Sequence, residues 1–357
     1  MSRRWAVALA ACVAGLPGAA PAAPAGSPAA DAEVAIREWE LPSPDSRPHD
    51  PAVGPDGALW YTAQKANRIG RLDPATGQFR EYPLPTERSG PHGLVADADG
   101  NIWYTANSAG LIGKLDPRTG RVTEYRIADP RAGDPHTPMF GRGGVLWFTV
   151  QQGNRVGRLD PGTGRIDVRE VPTPDAAPYG IAVDRQGTPF FCEFGTNKIG
   201  RVDPQTLQVK EYALPAGARP RRLAIAADGA IYYSDFARGY VGRLAPATGD
   251  VREWPSPGGA GSRPYGIAVT PDGMVWYSES GVEPNTLVRF DPHTQRFARS
   301  VIPSGGGVVR NMAATRDGRL FLACSGVNKV AVVERRARAG HGKSVTPRKG
   351  RDLHGSR

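Results

Sequence analysis

Short apolar bursts alternate with turn residues along this chain, and the whole pattern recurs. In one copy His92 to Asp97 reads as an apolar strand, Asp99-Gly100 as a tight turn that needs a positive φ, and Asn101 to Ala106 as a strand rich in β-formers. Leu111 to Asp116 follows as a third strand, Pro117-Arg118-Thr119-Gly120 as a turn, and Val122 to Ile127 as an alternating outer strand. The proline that opens each copy falls at Pro48, Pro91, Pro135, Pro178, Pro220 and Pro264, at spacings of 43, 44, 43, 42 and 44. A seventh copy, without the proline, begins near Val309-Arg310-Asn311-Met312. Units of this length are too long for a leucine-rich solenoid and lack the helical period of paired-helix repeats. Seven units of four strands predict an all-β fold, a seven-bladed β-propeller with four-stranded blades.

The chain ends predict how the ring closes. The last copy has only three strands, Met312 to Thr315, Leu320 to Cys324 and Lys329 to Glu334. Ahead of the first copy stands an orphan, Ala35 to Pro42, with the pattern of the outer strands Phe79 to Pro85 and Val251 to Pro257. An N-terminal strand joining the last blade removes two sheet edges that would otherwise invite aggregation. The repeats, residues 34–335, therefore read as one domain.

Composition changes this picture only at the margins. Arg3 and Arg4, the apolar run from Trp5 to Leu16 and the small residues and prolines up to Gly26 have the order of an export signal, too short to span a bilayer. Residues 1–26 are expected to be removed, leaving a periplasmic or secreted protein with no transmembrane segment. The formal charge of +10 suggests nucleic acid until it is located. Residues 335–357 hold eight Lys/Arg against Asp352 alone, and without them and the leader's arginines the repeats are near +1. No nucleic-acid partner is expected, and 336–357 reads as a disordered basic tail. Cys192 and Cys324 fall near the ends of second strands three blades apart, too far for a disulfide, which needs Cα atoms within about 7 Å. Two free thiols are expected.

Topology then says where chemistry can sit. The first strand of each blade is innermost and the second runs back antiparallel, so the start of one and the end of the other meet at the channel mouth. The first-strand position carries His49, His92, His136, Tyr179, Arg221, Tyr265 and Arg310; the second-strand position carries Ala63, Ala106, Val150, Glu193, Asp235, Glu279 and Cys324. One half of the mouth is imidazole-rich and the other acidic. Imidazole titrates near neutrality and clustered carboxylates attract hard cations, so the mouth is a candidate for proton transfer or for holding an ion. Trp60, Trp103, Trp147 and Trp276 share one register and read as packing between blades. No Gly-x-Ser-x-Gly elbow or His-Glu-x-x-His helix occurs.

The repeated Pro-His/Tyr-Gly-Ile, Asp-Gly-x-Ile/Leu-Trp-Tyr/Phe-Thr, Asn-Lys/Arg-Ile-Gly-Arg and Glu-Tyr-x-Leu-Pro together resemble the streptogramin B lyase (virginiamycin B lyase) family, over roughly residues 34 to 335. The resemblance implies opening of the lactone ring of cyclic depsipeptides by elimination, with a general base taking the α-proton and a carboxylate-held Mg²⁺ stabilising the enolate. The family's Pro-His, Glu-Pro-His and final Glu fall, in chain order, on Tyr265, on Val308 and Arg310, and on Cys324 or Ser325. Rotating the ring matches His92 to the first histidine, Asp134-Pro135-His136 to Glu-Pro-His and Tyr179 to the tyrosine that follows, with Val150 or Gln151 in place of the Glu.

These readings combine into an exported monomeric propeller taking a small-molecule or peptide ligand at its mouth. As a carbon-oxygen lyase it would use His136 as base, His92, His49 and Tyr179 to bind substrate, and Asp134 to hold Mg²⁺. As a lactonase it would use Ca²⁺ on Glu193, Asp235 and Glu279. The third alternative is a non-catalytic module that binds a peptide, glycan or envelope partner.

Overall fold

The computed structural model describes residues 34–336; the expected leader and, apart from Arg336, the expected basic tail lie outside the described residues. Seven four-stranded antiparallel sheets ring a central channel. Blade 1 is Pro48–Val53, Leu59–Ala63, Arg68–Leu72 and Phe79–Pro83, counted outward from the channel, and blades 2 to 6 repeat that order. Blade 7 takes Val309–Ala314, Leu320–Cys324 and Lys329–Arg335 from the end of the chain and its outer strand, Val34–Glu40, from the beginning. That strand pairs from Val34 opposite Arg335 to Glu40 opposite Lys329. Asn328 ties the seam further, accepting from the Ser46 N–H and donating to the Ser43 carbonyl. The closure expected from the sequence is thus the one formed.

Seven apolar clusters hold the ring together, one in each gap between neighbouring blades. Trp60 packs with Leu94, Ile102 and Tyr104 of blade 2, Trp103 with Leu146 and Phe148 of blade 3, and Trp147 with Phe191 of blade 4. Trp276 does the same with Leu320 and Leu322 of blade 7. Burying each such side chain stabilises by roughly 1.5–3 kcal/mol, so the tryptophan register is a packing device. The repeated Ile-Gly-Arg has an equally local cause. Tyr61 faces Gly70 across the sheet, and a Cβ there would lie 1.9 Å from the ring; Tyr104 and Gly113 repeat the relation at 2.0 Å.

A hydroxyl latch joins one inner strand to the next at five of the seven junctions. Thr62 Oγ1 accepts from the Asp50 N–H of its own blade and donates to the His92 carbonyl of the following one, at 3.1 and 2.9 Å. Thr105, Thr149, Ser234 and Ser278 donate in the same way to the carbonyls of His136, Tyr179, Tyr265 and Val309. The equivalent positions in blades 4 and 7 are Cys192 and Ala323. Cys192 and Cys324 are buried and unpaired, as expected.

Candidate functional site at the channel mouth

Every inner strand has a bulge at the mouth. In blade 1 Pro48 lies opposite Ala63 and Pro51 opposite Tyr61, leaving two residues, His49 and Asp50, against the single Thr62. All seven blades show the same shift of register. A bulge re-aims side chains that simple alternation would send to opposite faces. Two tiers therefore reach the channel: the expected one, and a second made of Asp50, Gly93, Thr137, Gly180, Arg222, Gly266 and Asn311. The glycines of that tier abut the next blade, since a Cβ on Gly180 would meet Arg222 Cα at 2.9 Å and one on Gly266 would meet Asn311 Cα at 3.0 Å.

The upper tier is a row of rings in tilted contact. Centroids lie 3.6 Å apart for His49 and His92, 3.8 Å for His92 and His136, and 3.9 Å for His136 and Tyr179. The Tyr179 and Tyr265 hydroxyls hydrogen-bond across the ring. Close packing leaves His49, His92, His136 and Tyr179 only 2, 5, 2 and 3% exposed, so the arc is sealed rather than a wetted rim. Burial pushes all three imidazoles well below the ordinary histidine range. The charges of Arg222, Arg310, Arg47 and Arg221 push His49 further the same way.

The cationic half of the mouth has few counter-ions. Arg221 lies against four rings, with its guanidinium carbon 3.8 Å from the Tyr265 centroid, 4.3 Å from Phe236, 4.8 Å from Phe194 and 5.1 Å from Tyr179. Among the described residues its one hydrogen bond, 3.4 Å long, goes to the Tyr179 hydroxyl. Nε of both Arg221 and Arg310 is buried without a partner, and among the described residues neither arginine meets a carboxylate.

The lower tier plugs the channel with an ion pair. Arg222 donates from Nη2 to Asp50 Oδ1 at 2.8 Å and from Nη1 to Oδ2 at 3.2 Å, and Nη1 also reaches Thr137 Oγ1 at 3.2 Å. Asn311 Nδ2 donates to Asp50 Oδ2 at 3.1 Å. His49 Nδ1 lies 2.8 Å from Asp50 Oδ1, and because a carboxylate can only accept, Nδ1 carries the proton and Nε2 is left as the basic atom. Thr137 Oγ1 stands 2.9 Å from His136 Nδ1 in the parallel position. Beyond the plug the channel widens into a cavity of about 370 Å³ walled by apolar inner-strand residues such as Val53, Leu94, Ile181 and Met312.

Among the described residues one group has the compactness of a metal site: the ligand atoms of His49, Asp50 and His92 lie within 4.8 Å of one another. His92 Nδ1 is buried there without a partner. This donor set does not suit Mg²⁺. That ion wants oxygen ligands, while two of these donors are imidazoles and the carboxylate already accepts four N–H groups, two of them from a permanent cation.

The expected carboxylates lie elsewhere. Asp134 accepts from the backbone N–H groups of Gln152 at 2.7 Å and Gly153 at 3.2 Å, fixing a loop of its own blade; burial nonetheless holds its carboxyl above the ordinary value. Glu193 bonds Thr196 at 3.0 Å, and burial pushes it up to about 7, the nearby Glu211 charge helping. Asp235 accepts from Arg238 Nε at 2.6 Å and from the Arg219 N–H at 3.0 Å. Glu279 accepts from Ser256, the Gly258 N–H and Thr286, each at 2.5 Å, and pairs with Arg299 at 3.0 Å. Each of these carboxylates is thus held within one stretch of the ring, and they do not converge. Tyr179 joins the three histidines at one place, as the repeat register expects; Asp50, Arg222 and Asn311 escaped the sequence reading.

The match that decides the family spans residues 28–278, which fit the model of the virginiamycin B lyase family. The chain belongs to that family. A stretch of 41 residues is 49% identical to virginiamycin B lyase from Saccharopolyspora erythraea, a match that spans only 12% of this chain and 14% of that relative. Among solved structures a streptogramin B lyase superimposes with a TM-score of 0.77 at 28% identity, covering 85% of this chain and 98% of that one. A catalytically inactive variant of virginiamycin B lyase from Staphylococcus aureus, with quinupristin, superimposes at 0.76 with 25% identity over 84% of this chain and 99% of that one. Virginiamycin B lyases bind a small-molecule substrate, and this chain shares their propeller. Among its described residues no helix is long and apolar enough to cross a membrane.

Proposed function

We propose that this chain is an exported binding propeller of the virginiamycin B lyase family whose mouth receives a small anionic ligand with an aromatic or apolar body, such as a peptide carboxylate. The observation that carries this reading is the pair of guanidinium groups, Arg221 and Arg310, that lack an acidic partner. Unpaired guanidinium groups are strong receptors for a carboxylate, and the partly exposed Phe194 and Phe236 beside Arg221 offer apolar contact. Calorimetric titration with N-acetylphenylalanine tests it, the uncharged amide serving as control. Binding of the acid alone, weakened tenfold or more in Arg221→Met and in Arg310→Met (about 1.4 kcal/mol or more), is the expected outcome. Equal binding of acid and amide, or no binding of either, removes it.

A second reading rests on the His49 and Asp50 pair. A neutral imidazole whose Nδ1–H is held by a carboxylate offers Nε2 as a general base, and guanidinium groups can stabilise the enolate of an ester, so elimination without Mg²⁺ is chemically coherent. His136, with His92 beside it, is the alternative base. Ring opening of a depsipeptide lactone that persists in chelator and disappears in His49→Ala or His136→Ala would establish this reading over the first.

A further inference from the structure

The carboxylate at the centre of the mouth is already neutralised by the protein. We infer that Arg222 is a built-in cation that occupies the coordination space of a divalent ion, so that His49, Asp50 and His92 form a transition-metal site masked by a side chain of the opposite blade.

The stoichiometry of Asp50 argues for the masking. An ionised carboxylate has about four lone-pair sites, and here four N–H groups fill them: His49 Nδ1 and Arg222 Nη2 on Oδ1, and Arg222 Nη1 and Asn311 Nδ2 on Oδ2. No site is left for a metal unless a donor departs. Asp50 and Arg222 are 1 and 3% exposed, so solvent screens the guanidinium little, and an incoming dication would meet a fixed positive charge across a single carboxylate. The bidentate geometry is the one in which arginine binds most firmly. The position of Arg222 is also fixed from behind: its N–H donates to Ser234 Oγ in blade 5, and its side chain lies against the Cβ-less Gly180 of blade 4.

Removal of the guanidinium would leave the ingredients of a site for a borderline transition-metal ion. Two imidazoles and one carboxylate with their ligand atoms within 4.8 Å suit cobalt or zinc, and His92 Nδ1, buried with no partner, supplies a lone pair or a proton that nothing else uses. This member of the family would thus differ from one that relies on a bound ion: the positive charge next to its histidines is covalently part of the chain and insensitive to chelators.

Cobalt is the probe, since Co²⁺ in a site of this kind has visible ligand-field absorption. Purified full-length protein treated with chelator and then dialysed against CoCl₂ should retain essentially none, with unchanged thermal stability. Arg222→Met, verified as folded by near-ultraviolet circular dichroism, should retain about one Co²⁺ per chain and gain visible absorption, and Arg222→Met/His92→Ala should lose both. Stoichiometric Co²⁺ in the unmodified protein, lost in His49→Ala, overturns the inference whatever the variants do. A folded Arg222→Met that takes up no metal overturns it as well. Binding of N-acetylphenylalanine depends on Arg221 and Arg310, so either outcome leaves the ligand reading to its own test.

Discussion

Blades 1 to 3 and blades 4 to 6 place polar side chains at facing positions of one repeat, yet the two sets have different fates. The histidines stand at the start of inner strands, point into the channel and meet one another in tilted contact at 3.6 to 3.8 Å. Glu193, Asp235 and Glu279 stand at the ends of second strands, are fully buried, and turn to hydroxyls, backbone N–H groups and arginines of their own or neighbouring turns. A residue's layer, counted from the axis, decides whether seven copies act together or separately. Only the innermost layer converges, so polar groups there can form one site, whereas one layer out the three carboxylates become three local braces.

The largest effect should come from the point of convergence. Arg222→Met leaves Asp50 buried with half its partners gone and should cost about 3–5 kcal/mol, measured by urea unfolding at neutral pH. Restoring charge balance with Asp50→Asn in the same chain should recover part of that loss. Among the braces, Glu279→Gln should cost about 2 kcal/mol, because three short hydrogen bonds and the Arg299 pair weaken together. It should leave ligand affinity at the mouth within twofold; a large change in affinity would mean that the second layer does communicate with the channel.

Acid and base titrations should separate the two arcs by sign. The histidines have folded-state values below the unfolded 6.5, so the unfolded chain takes up protons first and stability falls as pH drops below about 6.5. Glu193 has a folded value of about 7 against 4.5, so its contribution is full below pH 4.5 and is lost as pH rises toward 7. Glu193→Gln should therefore raise stability at pH 8, by about 2 kcal/mol after allowance for screening, and leave the acid limb of the histidines steeper. His92→Gln should flatten that limb. Thermal melts from pH 5 to 8 read both, and a common sign for the two variants would erase the distinction.

Most of the ring was legible because its signals are local: the turn glycines, the Tyr over Gly70, and the tryptophan register are short-range requirements repeated from blade to blade. The lower tier was not. Alternation sends His49 and Asp50 to opposite faces, and only the bulge, a relation between two strands, turns both toward the axis. Arg222 lies 172 positions from Asp50, and no spacing rule within a repeat connects them. Nor did the sequence reading show that carboxylates at equivalent positions would each find an ally within reach, as Asp235 does in Arg238 and Glu279 in Arg299.

The smallest effects concern the latch. Thr105→Ala removes bonds of 2.9 and 2.6 Å between inner strands and should cost about 1 kcal/mol, while Cys192→Ser, which restores the hydroxyl in blade 4, should gain about half of that. Calorimetric melting of the two variants reads both; a stabilised Thr105→Ala would mean the latch is not a constraint on the channel.

The strand Val34–Glu40 has a consequence for the order in which the molecule is made. It is synthesised first and finds its place last, since its partner Lys329–Arg335 emerges after every other blade, and the bond from Ser46 to Asn328 spans 282 residues. Contacts of such separation are slow to form, and until they do the outer edge of blade 7 stands open to any passing strand. Val34–Glu40 and Lys329–Arg335 lie side by side in one sheet, so a single cut in a loop of another blade should disturb the ring less than removal of Val34–Glu40, which would bare the edge of Lys329–Arg335.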